Sequence, residues 1–132
     1  MMMSQRVARY SLSTLLTVAI AVGAAACGGD GDSGLSEQAA KGKEIAASNG
    51  CASCHGSDGR GGVGPTWIGL AGSEVELDDG TTVTADDAYL LRAILDPAAE
   101  EVPGYAVNMP ENGLSEEQAL DIVAYIKELV AE

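Results

Sequence analysis

Phenylalanine is absent from this 132-residue chain, and aromatic residues make up 4% of it, with a single tryptophan. A peptide core built from so few large rings is thin, and a chain of this size buries only roughly 60–65% of its unfolded surface. Histidine occurs once, at His55. Methionine occurs at positions 1–3 and otherwise only at Met109. With three cysteines in all, a structural zinc site is poorly supplied, since it needs four nitrogen or sulfur ligands. Beyond the N-terminal region only Cys51, Cys54 and His55 are available for one. Positive charge is scarce too: 7 Lys/Arg stand against 20 Asp/Glu, a net charge of −13. Such a surface repels nucleic acid and anionic lipid headgroups, and it steers association with a basic partner surface. Solubility or a salty habitat would produce the same balance.

What the chain does contain is Cys51-Ala52-Ser53-Cys54-His55. Two thiols three positions apart, followed at once by an imidazole, form the pattern on which haem c is attached. Each cysteine adds across one haem vinyl group, and the adjacent histidine falls under the iron. A thioredoxin-like redox motif would require a βαβ context, whereas short helices and glycine-rich loop surround this one. A six-coordinate haem c commonly takes one His and one Met, and the chain offers one of each past its N-terminus.

The first 26 residues read as a signal peptide, with Arg6 and Arg9 before an apolar run from Leu12 to Val22 and small residues at 23–26. That run is shorter than the ~20 residues of a spanning helix. Cys27 directly after three alanines resembles the lipidated cysteine of bacterial lipoproteins, although Ala24 stands where a large aliphatic is usual. Ordinary cleavage after Ala26 would instead leave a soluble periplasmic protein with a spare thiol. Either route places the domain outside the cytoplasm. Cleavage would remove two of the 7 Lys/Arg and none of the 20 Asp/Glu, moving the net charge from −13 to −15. Residues 27–34 read as a flexible polar tether spanning ~15 Å, or simply as a disordered terminus.

Residues 35–132 suffice for one small domain. Ser36 is expected to cap a helix to about Ser48, with Ala39, Ile45 and Ala46 inward. Thr84 is expected to cap a second helix striped by Leu91, Ile94 and Leu95 and stopped by Asp96-Pro97. Ser115 with Gln118 predicts a capping box, followed by Ala119, Ile122, Val123, Ile126, Leu129 and Val130 at helical spacing. Val75 and Leu77, an Asp79-Gly80 turn and Thr81 to Val83 suggest a β-hairpin. Its acidic run (Glu74, Glu76, Asp78, Asp79) reads as solvated surface, because calcium needs oxygen ligands at ordered spacing.

In this order the chain resembles a class I cytochrome c over residues 35–132. The fold implied is all-α, three main helices around one covalent haem c, plus a short hairpin. It is most similar to the cytochrome c domain fused to subunit II of bacterial haem-copper oxidases. The likeness is carried by Gly50 to His55, Gly64-Pro65, Asp79 to Thr84, Tyr89 to Arg92, Ile94 to Pro97, Pro103 to Tyr105, Met109-Pro110 and Ala124 to Lys127. The chain departs from that subunit in having neither transmembrane helices nor a copper domain ahead of the cytochrome. Ile45 also stands where an aromatic is frequent.

The resemblance implies thioethers at Cys51 and Cys54, His55 as proximal ligand and Met109 as distal ligand. It implies that the Pro65 carbonyl binds the other His55 nitrogen, and that Trp67 and Tyr105 line the pocket; ordinary core packing is the alternative for Trp67. Tyr89 and Tyr125 read as helix-packing residues, and Arg60 and Arg92 as surface ion pairs rather than propionate contacts. No catalytic residue is expected. The implied role is a monomeric, membrane-tethered one-electron carrier between a quinol-oxidising complex and a terminal oxidase. The alternative is a haem subunit or electron acceptor of a periplasmic dehydrogenase. A peroxidase or gas sensor would need an open iron position, against which Met109 argues.

Overall fold

A computed structural model describes residues 34–130. The expected signal segment at 1–26, the expected lipidation site Cys27 and the tether up to Ser33 lie outside the described residues. The element order is α1 (Glu37–Ser48), α2 (Ala52–His55), β1 (Glu74–Glu76), β2 (Thr82–Thr84), α3 (Asp87–Leu95) and α4 (Glu116–Glu128). The fold is helical with a two-stranded antiparallel sheet. The helix beyond the three expected is α2, a single turn formed by the cysteine motif itself.

Local chemistry sets the boundaries. The Ser36 hydroxyl accepts from the Ala39 N–H at 3.2 Å and caps α1. Asn49 closes the other end, its side-chain amide donating to the Ile45 carbonyl at 2.8 Å. At α4 both halves of the capping box form between Ser115 and Gln118. The cap of α3 is Asp86 rather than Thr84: the Asp86 carboxylate accepts from the Tyr89 N–H at 2.8 Å. Thr84 is still held in the hairpin, paired with Glu74 in the register Val75↔Val83. The following Ala85 N–H also returns to Ser73, at 2.8 Å. The strand therefore delays the helix by two residues.

The core forms where α1 and α3 pack on α4. Helix α4 buries Ala119, Ile122, Val123, Tyr125 and Ile126. Leu129 is its C-cap and still packs against the core, while Val130 lies beyond it, 72% exposed, so the apolar stripe ends one residue short of what its spacing predicts. On α3 the buried residues are Tyr89, Leu90 and Ile94, while Leu95 is exposed.

Helix α1 turns Ala39, Gly42 and Ala46 inward, leaving Ile45 half-buried. Gly42 lets the two helices touch. A Cβ at that position would fall on the Asp121 carbonyl and 2.9 Å from the Ile122 nitrogen. Glycine inside a helix costs about 1 kcal/mol relative to alanine, so here close packing outweighs propensity. Gly42→Ala should destabilise the protein by about 2 kcal/mol or more, lowering the thermal midpoint by roughly 10 °C. An unchanged or raised midpoint would show that the helices can part at no cost.

The same seam holds charges. Lys41 Nζ lies 2.7 Å from the buried Asp121 Oδ2 and 3.6 Å from Glu117. The Lys41 ammonium, helped by Gln38, holds the Asp121 carboxyl below its ordinary range against the opposing effect of burial. An acid depressed in the folded state stabilises fully above the unfolded carboxylate value near ~4. That contribution is lost as pH falls through the lower folded value. Denaturant unfolding should therefore show stability dropping below about pH 4, and Lys41→Met should flatten that drop. Identical acid profiles for the two proteins would remove the pair from the account. At the open end of the seam, Glu128 of α4 accepts from the Ser36 N–H at 2.8 Å and its hydroxyl at 2.6 Å.

Candidate haem site

The motif is presented by a tight reversal after α1. The Cys51 N–H donates to the Ala46 carbonyl and the His55 N–H to the Cys51 carbonyl, both at 3.0 Å. Cys51, Cys54 and His55 thus lie within one helical turn, with both thiols free and half-buried. Burial pushes the Cys51 thiol up, and neighbouring Cys54 adds to this.

The glycine-rich loop then folds back over the turn. The Gly64 N–H donates to the Cys54 carbonyl at 2.9 Å and the Gly61 N–H to the His55 carbonyl at 2.8 Å. Gly64 passes so near the imidazole that a Cβ there would lie 3.1 Å from His55 Cε1. That approach delivers the next carbonyl, and His55 Nδ1 stands 2.8 Å from Pro65 O. A carbonyl only accepts, so Nδ1 carries the proton and donates, leaving Nε2 with a free lone pair. Burial lowers the His55 pKa, with Pro65 opposing in part. The neutral ring that results is the form that binds metal.

Trp67 stacks on His55 with ring centroids 4.6 Å apart and meets Tyr125 of α4 edge-on at 6.2 Å. It is buried, and so it both packs the core and lines the cavity. The imidazole is therefore held by a hydrogen bond at one atom and by an aromatic face along its plane.

The chain from Glu100 to Pro110 supplies a further part of the wall of the cavity that His55 borders. The cavity has a volume of about 150 Å³ and opens to solvent on one side. Cys54, His55, Trp67, Tyr105 and Met109 all border it, as do Tyr89, Leu90 and Ile94 from α3. Tyr105, Val63 and Val107 stand at the mouth, 39%, 51% and 55% exposed. Of the residues predicted for the site, Cys51 alone is not on the cavity wall; it packs against the core cluster behind. Tyr89 and Glu100, not predicted as lining, are on the wall. Arg60 pairs with Asp58 at 2.6 Å and Arg92 with Glu100 at 2.7 Å. The tyrosine was legible only as an apolar helix position, and nothing in the sequence marks the glutamate.

The sequence matches the family model for cytochrome c over residues 39–130, a span containing the whole cavity wall. The chain belongs to the cytochrome c family. Among solved structures it is similar to cytochrome cH from Methylobacterium extorquens, at 30% identity and a TM-score of 0.49, covering 67% of this chain and 96% of that one. A comparison with curated proteins gives no match.

A cytochrome c binds haem c covalently and carries electrons rather than transforming a substrate. The residues present fit that group. The cavity is walled mainly by apolar side chains, two free thiols stand at haem-c spacing, and one available imidazole nitrogen shares the cavity with one thioether. When bound, the haem supplies a one-electron iron couple. The protein is a monohaem electron carrier.

Proposed function

We propose that this cytochrome is a membrane-tethered carrier on the outer face of a bacterial inner membrane, delivering single electrons to a terminal oxidase after receiving them from a quinol-oxidising complex. The observation that carries the reading is that His55 and Met109, the only imidazole and the only thioether past the first three residues, border one apolar cavity. In this reading Cys51 and Cys54 form the thioethers, His55 Nε2 is the proximal ligand and Met109 Sδ the distal one. Pro65 fixes the ring tautomer and orientation, Trp67 backs the imidazole, and Tyr105 covers part of the mouth. Met/His ligation raises the potential and leaves no open position for a substrate.

The oxidase as acceptor is supported by the ordered likeness to the subunit II cytochrome domain, carried from Gly50-Cys51 through Met109-Pro110 to Lys127. Attachment through lipidated Cys27, in an extracytoplasmic location, rests on the sequence before residue 34. The acidic surface supports a partner with a basic face. Lys41, Arg60, Arg92 and Lys127 each stand against a carboxylate, so they offer little free positive charge.

Rapid oxidation of the reduced protein by oxidase-containing membranes is the expected result. Oxidase turnover unchanged in a strain lacking the protein would refute the assignment of acceptor. It would favour service to a periplasmic dehydrogenase instead.

A further inference from the structure

Helix α3 has a problem at its end that the Met109 loop solves. In a continuing helix the Ile94 carbonyl would accept from the N–H of residue 97 or 98. Position 97 is proline, which has no N–H, and Asp96 before it leaves helical geometry at φ −137°, ψ 72°, so the chain turns away before Ala98 can reach back. Among the described residues no backbone N–H takes this carbonyl. The donor is instead the side-chain amide of Asn112, at 2.7 Å. The same side chain accepts from the Leu114 N–H at 3.1 Å through Oδ1, closing a turn just before the Ser115 cap of α4. One half-buried residue thus joins the end of α3, the Met109 loop and the start of α4. Ile94 and Met109 both border the cavity, so this bond ties two of its walls together.

We infer that Asn112 is a positioning residue: its amide, bound to the Ile94 carbonyl, holds the loop against α3 and presents the Met109 sulfur to the haem cavity. This rests on Met109 being the distal ligand. The second clasp on the loop, Asn108 Nδ2 to Glu101 Oε1 at 2.6 Å, is exposed, where water competes for both groups. The Asn112 bond is part-buried, and losing it leaves a helix-end carbonyl without its donor, so it is the costlier of the two to break.

The test uses haem-loaded Asn112→Asp and Asn112→Ala proteins. The aspartate keeps the acceptor for Leu114 and loses the amide donor. Both variants should retain covalent haem while the ferric sulfur-to-iron absorption band weakens. Imidazole, used as the probe, should displace the sulfur with a dissociation constant roughly fivefold lower than in the parent. Ser36→Ala, which removes the α1 cap far along the chain, should lower the melting temperature and leave both readouts alone. Wild-type band intensity and imidazole affinity in both Asn112 variants would overturn the inference. So would an equal response in Ser36→Ala, because the effect would then be general loosening. A parent protein with no such band would instead refute Met109 as ligand, a separate failure.

Discussion

Met109→Leu is expected to leave the haem attached, abolish the sulfur-to-iron band and let the ferrous protein bind CO. The attachment residues Cys54 and His55 on α2 and Cys51 at its N-cap are braced by the 56–65 loop and Trp67, none of which involves residue 109. Leucine is close to methionine in volume, and such swaps usually cost less than about 1.5 kcal/mol. The fold should therefore survive while the donor atom is lost. Sulfur ligation raises the potential, so the variant should fall by a sizeable share of the ~0.8 V that axial ligands command. Spectra and redox titration of the variant measure both effects. An unchanged band would mean that another group ligates the iron.

The second large effect is on stability. Cys51→Ala/Cys54→Ala, which cannot attach haem, should lose cooperative unfolding altogether. Four of the buried core residues, Ala39, Ala46, Ala85 and Ala119, are alanines, and phenylalanine is absent. Many of the larger apolar side chains, Trp67, Tyr89, Leu90, Ile94 and Ile126, border the haem cavity. Those side chains are themselves only 2–7% exposed, so loss of the haem removes not their cover but the apolar group that fills the space between them. Unfilled space in a core costs about 24 cal/mol per Å³. A void of that kind takes much of the roughly 5–15 kcal/mol that typically separates folded from unfolded protein. Calorimetry of the double variant should show no sharp transition, with helicity reduced. A cooperative melt like the parent's would contradict the expectation.

Features written in short-range chemistry were legible before any fold was known. Ser36, Ser115 with Gln118, and the Asp79-Gly80 turn each act within a few residues, and each is present as read. The cysteine motif was legible for the same reason, because covalent attachment dictates its spacing. Features decided by distant partners were not. Gly42 reads as a helix weakness until Asp121 of α4 is seen against it. Asp86 displaces Thr84 as the α3 cap because the hairpin still holds residues 84 and 85. Asn112 looks like an ordinary turn residue until the open Ile94 carbonyl at the end of α3 is seen against it. Val130 keeps helical spacing, yet α4 has already ended at Glu128 and the side chain stands exposed.

The central claim is that one covalent haem is closed on one side by His55 and on the other by Met109. Optical spectra of the intact protein from a host able to attach haem c test it most directly. The account predicts haem that stays with the polypeptide on denaturation, a sulfur-to-iron band in the ferric form, and no CO binding by the native ferrous form at neutral pH. Haem that dissociates, or a ferrous iron that takes up CO at once, would contradict it.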